Sequence, residues 1–234
     1  MAKSLLRCYF IAICFGMPPE DRFGGGYAAV SIALIDYNMG NLGSVDKALK
    51  FLGVECVVMD DAADLERFDA CILPGVGSFG DGMEALRSKG FDKALPEFIA
   101  SGKYFLGICL GMQMLLGSSE ESPGVRGLGI FPGAVKKFRL DGLKVPHMGW
   151  NAVRFDADTP LAAEAKDEEF FYFVHSYYVS ADAPECIAKC VYGHPFAAAL
   201  GKGRCFAAQF HPEKSQRAGL RLLKNFLTLA GELK

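Results

Sequence analysis

Cys109 stands in the run Gly107-Ile108-Cys109-Leu110-Gly111, directly after the apolar Tyr104-Phe105-Leu106 and before the helix-forming Met112-Gln113-Met114-Leu115-Leu116. A residue flanked by glycines at a strand-to-helix turn is the nucleophile-elbow arrangement, here with cysteine in the serine position. Such a turn lifts the side chain above the carboxyl edge of a sheet, the helix beneath favours the thiolate, and the Leu110 N–H points to where an oxyanion would form. A buried core cysteine beside packing glycines is the plainer alternative. A thiol nucleophile needs a base. His211 lies in Phe210-His211-Pro212-Glu213, at the end of the apolar run Cys205 to Gln209, so a strand end places it at the same kind of edge. Glu213 can reach the imidazole, fix its tautomer and stabilise its charged form, while Pro212 stiffens the pair. Alone, the segment also reads as a surface turn with an incidental His and Glu. A second oxyanion donor is expected from Leu73-Pro74-Gly75-Val76-Gly77-Ser78-Phe79-Gly80, where glycines let a peptide approach a ligand and reorient.

The elements that must hold these residues follow from the apolar pattern. Ile32-Ala33-Leu34-Ile35 is a short apolar run of the kind found in parallel strands covered on both faces. A polar loop from Asp36 to Asn41 follows, then a helix from Ser44 to Leu52 ended by Gly53. Further strands are expected at Val54 to Met59, Ala70 to Leu73 and Tyr104 to Ile108, with helices at Gly82 to Ser88 and Asp92 to Ala100. Strands alternating with helices predict an α/β fold, a doubly wound and mostly parallel sheet with helices on both faces. After Gly117 the texture changes to β-like runs at Ala134 to Phe138, Asn151 to Phe155, Phe170 to Val174, Glu185 to Val191 and Cys205 to Gln209, which predict an antiparallel or mixed extension. A final helix, Gln216 to Leu229, presents Leu220, Leu223, Phe226 and Leu227 on one face. No linker or repeat divides residues 31–234, so they are expected to form a single domain.

Composition narrows the function. The 234 residues are 51% hydrophobic and 22% charged with a net charge of −2, ordinary for a globular chain and without a global field for nucleic acid or an anionic membrane. Eight cysteines, several inside apolar runs, suit a reducing cytoplasm better than a disulfide framework. Cys186, Cys190 and His194 are spaced like metal ligands, but a strand through Cys186 and Cys190 with no fourth ligand favours core packing, so no metal and no cofactor are expected. Residues 1–30 join a weak signal-like stretch to Pro18-Pro19 and Gly24-Gly25-Gly26. They read as an unstructured tail or a mis-assigned start, with Val30 as the initiator.

The Cys109 elbow with Gln113, the segment His211-Pro212-Glu213 and the Cys, His, Glu order resemble the triad-type glutamine amidotransferases. Supporting segments are Asp36 to Leu42, Pro74-Gly75-Val76-Gly77, Pro146 to Asn151, Tyr172 to Tyr178 and Gln209 to Ser215, which place the resemblance in the branch that supplies ammonia to a (β/α)8 cyclase. The resemblance implies that Cys109, His211 and Glu213 are catalytic. It implies that Gly75, Val76, Gly77, Leu110, Gln113, Ser176 and Tyr177 line the oxyanion and glutamine subsites, and that Asn38, Asn41, Met148, Trp150, Tyr172 and Lys214 face the partner. His147 and His175 lack an adjacent acid and are expected in structural or interface roles. The ammonia would pass to the cyclase, which adds it to a phosphorylated aminoimidazole-carboxamide ribonucleotide intermediate to give imidazole glycerol phosphate. The chain itself shows no P-loop.

Other readings remain open on the sequence: a subunit of another amidotransferase, a stand-alone γ-glutamyl cysteine hydrolase, or an interaction module with an inert elbow. The flexible Pro74-to-Gly77 loop further predicts low glutaminase activity in isolation, with its peptide N–H turned away until a partner shifts that population.

Overall fold

The computed structural model describes residues 31–156, 158–231 and 233, so the expectations for the first 30 residues lie outside the described residues. Strand β1 (Ile32–Ile35) is apolar and buried at every position, which demands cover on both faces. Alternation supplies it. Ile32 and Leu34 enter one apolar cluster and Ala33 and Ile35 the other, and β3 (Ala70–Gly75) and β4 (Tyr104–Cys109) divide in the same way. The helices are α1 (Leu42–Phe51), α2 (Phe79–Ser88), α3 (Phe91–Ala100), the short α4 (Leu110–Met114) and α5 (Gln216–Ala230). Val45 and Leu49 of α1 and Leu223, Phe226 and Leu227 of α5 cover the first face, and Met83, Leu86, Phe91 and Leu95 of α2 and α3 the second.

The remaining strands are β2 (Val57–Met59), β5 (Ser118–Ser119), β6 (Ala134–Lys137), β7 (His147–Phe155), β8 (Glu169–His175), β9 (Tyr177–Ser180), β10 (Cys186–Tyr192), β11 (His194–Lys202) and β12 (Cys205–Ala208). Among the described residues the sheet runs β2-β1-β3-β4-β12-β11-β10-β7-β8, with β9 beside β11 and then β6 and β5. Strands β2 through β12 of that path are parallel, and β11, β10, β7 and β8 continue it antiparallel. The expected α/β sheet with a mixed extension is therefore present in one domain.

Several boundaries differ from the sequence expectation. Strand β2 starts at Val57, not Val54, because Val54 is engaged in ending α1: its N–H reaches Leu49 O at 3.0 Å and Gly53 N–H reaches Lys50 O at 3.0 Å, with Gly53 at φ +82°. That is the paired closure of a helix whose first residue beyond the cap is left-handed. The final helix buries Gly219, Leu222, Leu223, Phe226, Leu227 and Ala230, the spacing of a single stripe, so Leu222 takes a place expected of Leu220, which lies half-buried at its margin. Strand β11 had no clear signal in the sequence. Its centre, Phe196 to Leu200, is buried throughout and four-fifths of it is not β-branched or aromatic but alanine and leucine. No helix among the described residues is long and apolar enough to cross a membrane.

Candidate active site

Strands β3, β4 and β12 are parallel neighbours that end at one edge of the sheet, and each delivers part of the site. In the register Gly75 lies opposite Cys109, while Ala208 lies opposite Ile108, so the chain leaving β12 carries Gln209 and His211 along the other flank of Cys109. Cys109 is held at φ 54° and ψ −106°, a conformation that costs a non-glycine residue on the order of 1–3 kcal/mol. The flanking glycines make the turn sterically feasible. A Cβ on Gly111 would stand 2.0 Å from the Leu73 carbonyl oxygen, and one on Gly107 would stand 3.0 Å from the Gly111 backbone.

His211 begins the 3-10 turn Pro212–Lys214. Its backbone is clamped, the N–H donating to Tyr172 O at 2.9 Å and the carbonyl accepting from Ser215 Oγ at 2.6 Å. Its Nδ1 lies 2.8 Å from Glu213 Oε1, and both side chains are 1% exposed. A carboxylate only accepts, so Nδ1 carries the hydrogen. Nε2 is buried without a hydrogen-bond partner of its own. Burial opposes a charged ring here, but the Cys109 sulfur and Glu213 outweigh it and push His211 up to about 10. The Cys109 sulfur and the His211 ring are thus coupled through charge.

Cys109 and His211 line one cleft of about 370 Å³, together with Val76, Gln113, Ser176 and Tyr177. The Val76 N–H donates to Met39 O at 3.0 Å, which turns it toward the loop beyond β1 and away from β4. Two residues expected to bind substrate are tied to one another, Gln113 Nε2 donating to Tyr177 O at 3.2 Å, and the same Nε2 also donates to Gln209 Oε1 at 3.1 Å. Tyr37 closes the floor beneath Gly75. A Cβ there would meet its hydroxyl at 2.2 Å, and burial, then the nearby Cys109, raises the pKa of that phenol.

His147 and His175 form a buried pair beside the cleft, Nδ1 to Nε2 at 2.9 Å. The Tyr177 carbonyl accepts from His175 Nδ1 at 2.8 Å, so His175 Nε2 must accept from His147 Nδ1, and His147 Nε2 in turn accepts from Asn151 Nδ2 at 3.2 Å. Burial lowers His147 to about 4 and His175 to about 3, keeping both neutral at ordinary pH.

Of the residues expected to face a partner, Met148 is 63% and Trp150 45% exposed. Tyr172 packs edge-on to Trp150 at 6.2 Å between ring centroids, and Asn38 and Lys214 are exposed. The core-packing alternative for Trp150 does not fit that exposure. Asn41 instead turns inward, its Nδ2 donating to Glu213 Oε1 at 3.3 Å. Sequence reasoning missed this contact and missed Gln209, whose Nε2 donates to Cys109 Sγ at 3.7 Å. A polar residue closing an apolar strand was the available signal for Gln209. Cys190 is buried in the core and Cys186 donates to the Ala188 carbonyl at 3.3 Å, and among the described residues no group of three or more His, Cys, Asp or Glu could hold a metal ion.

Residues 33–230 match the family model described as Glutamine amidotransferase class-I. A relative from Chlorobaculum tepidum named Imidazole glycerol phosphate synthase subunit HisH is 48% identical over 197 residues, covering 83% of this chain and 98% of that protein. A relative of the same name from Pseudomonas putida is 47% identical over 209 residues, covering 86% and 98%. Among solved structures, a glutamine amidotransferase matches with a TM-score of 0.67 at 20% identity over 85% of this chain and 98% of its own. PurLQS from Thermotoga maritima matches with a TM-score of 0.67 at 21% identity over 86% and 99%.

Proposed function

The chain belongs to the class-I glutamine amidotransferase family, and from that premise we propose that it is the glutaminase subunit of an imidazole glycerol phosphate synthase, working in the cytoplasm beside a cyclase partner. Cys109 attacks the side-chain amide carbon of glutamine. Electrons move onto the carbonyl oxygen, and the Leu110 N–H can donate a hydrogen bond to the oxyanion so formed. The C–N bond then breaks, His211 delivers its proton to the leaving ammonia, and a γ-glutamyl thioester remains. Water, deprotonated by His211, attacks that thioester, the C–S bond breaks, and glutamate leaves with the thiolate restored. Glu213 keeps the hydrogen on Nδ1 through both halves, so Nε2 is the atom that exchanges protons.

The observation that carries the reading is the convergence of three adjacent strand ends on one cleft, with Cys109 on the middle strand and the His211–Glu213 pair on one flank. The tie from Val76 N–H to Met39 O supports low activity for the chain alone, because the second oxyanion donor is engaged elsewhere until docking turns that peptide. The relatives' shared name supports a cyclase as the consumer of ammonia. Exposed Met148, Trp150 and Lys214 at the rim of the same edge suit its docking face.

The test is imidazole glycerol phosphate formation with the candidate cyclase, comparing the intact chain with Cys109→Ala. The variant is expected to support synthesis from free ammonium and to fail with glutamine. Glutamine-dependent synthesis by Cys109→Ala would remove the thiol from the mechanism, and synthesis from neither nitrogen source by the intact chain would remove the assigned partner.

A further inference from the structure

Gln209 is fully buried, and its backbone N–H is fixed to Ala198 O at 2.8 Å. A buried primary amide has two donors and an oxygen to satisfy. Its Oε1 accepts from Gln113 Nε2 at 3.1 Å and its Nε2 reaches Cys109 Sγ at 3.7 Å. Resting on the glutaminase reading, we propose that Gln209 is a further catalytic residue: its amide N–H stabilises the Cys109 thiolate before attack and receives the same sulfur as the thioester breaks.

Which end of the amide faces the sulfur decides the matter, and one main-chain carbonyl settles it. The Tyr177 carbonyl can only accept, so the Gln113 group 3.2 Å from it must be its NH2. That same NH2 lies 3.1 Å from Gln209, which must therefore present oxygen to it. The nitrogen of Gln209 is left facing the sulfur. Turning Gln209 over would set two donors against each other, and turning Gln113 as well would set two acceptors against each other at Tyr177. The carbonyl also fixes the tautomer of His175 and, through it, of His147. Tyr177 and Gln113 are thus positioning residues, and Gln209 touches the reacting atom.

A fixed neutral donor favours the anionic form of what it faces. No proton leaves Gln209 in either half-reaction: the one released with ammonia comes from His211, and the one taken from water returns there. The titratable groups around the sulfur are His211 with Glu213 behind it, Tyr37 beneath, and His175 and Glu121 across the cleft. Gln209 adds a polar contact whose strength does not itself titrate.

The experiment alkylates the full-length chain with iodoacetamide across pH and reads the Cys109 peptide by mass spectrometry. Gln209→Glu keeps the length and the acceptor for Gln113 but replaces the N–H at the sulfur, and Gln209→Met removes the donor without adding charge. Each is expected to move the pH profile of Cys109 alkylation up by about one unit, which lowers the rate about tenfold on the rising limb of that profile. Buried Cys71 and Cys205 report folding in the same digest, staying unlabelled while the fold is intact. A folded Gln209→Met protein with an unshifted Cys109 profile overturns the proposal, as does an unshifted Gln209→Glu profile if the methionine variant unfolds. Glutamine is absent from the assay, so an altered profile in a chain that never hydrolyses glutamine, even with the loaded cyclase bound, would uphold the sulfur contact and sink only the glutaminase reading. In turnover, kcat is expected to fall while the KM for glutamine holds in Gln209→Glu, which leaves the Gln113 tie in place.

Discussion

Glu213 is buried with one oxygen doubly engaged, by His211 Nδ1 at 2.8 Å and Asn41 Nδ2 at 3.3 Å, while Oε2 has no partner. Replacing it with glutamine can present an N–H to Nδ1, which would drive the ring's hydrogen to Nε2 and leave it unable to accept a proton from the thiol. Glu213→Gln is expected to lower kcat/KM for glutamine by about a hundredfold or more, and to move the alkaline limb of the pH profile below the value of about 10 held by His211. Stability follows the same group. Because the folded pKa of His211 lies above its ordinary 6.5, its contribution is complete below 6.5 and disappears as pH rises through about 10. Urea midpoints across that window should fall in the intact chain and stay flatter in Glu213→Gln. That Cys109, His211 and Glu213 come together at one cleft was legible because each sits in a short motif whose spacing suggests a shared site. Gln209 and Asn41 were not, since their partners lie 100 and 172 residues away in sequence, and only the closed sheet joins them.

At the scale of elements, the elbow depends on α4 lying directly against the end of β3. Gly111→Ala would drive a methyl into the Leu73 carbonyl oxygen, 2.0 Å from the ideal Cβ position, and neither partner is a flexible side chain. A loss of about 3 kcal/mol or more in urea denaturation is expected, with a stability close to that of the intact chain refuting the close approach. The parallel half of the sheet was readable because buried strands there are short apolar runs separated by helices, β1 and β4 above all. The antiparallel half was read in part: β7 begins at His147 rather than Asn151, and β9 and β11 gave no distinct pattern. Their positions are decided by pairing with distant strands, a long-range effect that overrides local preference. The His147–His175 pair in this half has its own pH signature. Both folded pKa values lie below the ordinary 6.5, at about 4 and about 3, so the neutral pair contributes stability above 6.5 that is lost as pH falls toward those values. The double variant His147→Gln/His175→Gln should show a shallower loss of stability in that acid window, and an unchanged slope would mean the pair does not titrate on unfolding.

For the whole molecule, the site at the ends of β3, β4 and β12 and the exposed aromatic rim are joined, because β7 and β8 carry the rim and β8 also bonds the chain that holds His211. Trp150 pairs with Tyr172 across these strands, and the Tyr172 carbonyl holds the His211 backbone at 2.9 Å. A partner seated on Trp150 would therefore press on elements that also fix the His211 backbone. On the opposite flank, the Val76 N–H, the second oxyanion donor of the proposed mechanism, is bonded to Met39 O and so turned away from β4. A single hydrogen bond of this kind is worth only about 1 kcal/mol net, so docking can release it with a small part of its interaction energy. Trp150→Ala separates the two roles of the rim. If Trp150 is an anchor, its loss weakens association with the cyclase by about thirtyfold, equivalent to about 2 kcal/mol, yet saturating partner restores glutamine turnover because Val76 can still turn. Turnover that stays low at saturation would mean that Trp150 acts on the site and not merely on docking. Equal turnover by the lone chain and by the complex loaded with its phosphorylated acceptor would mean that the Val76 bond restrains nothing.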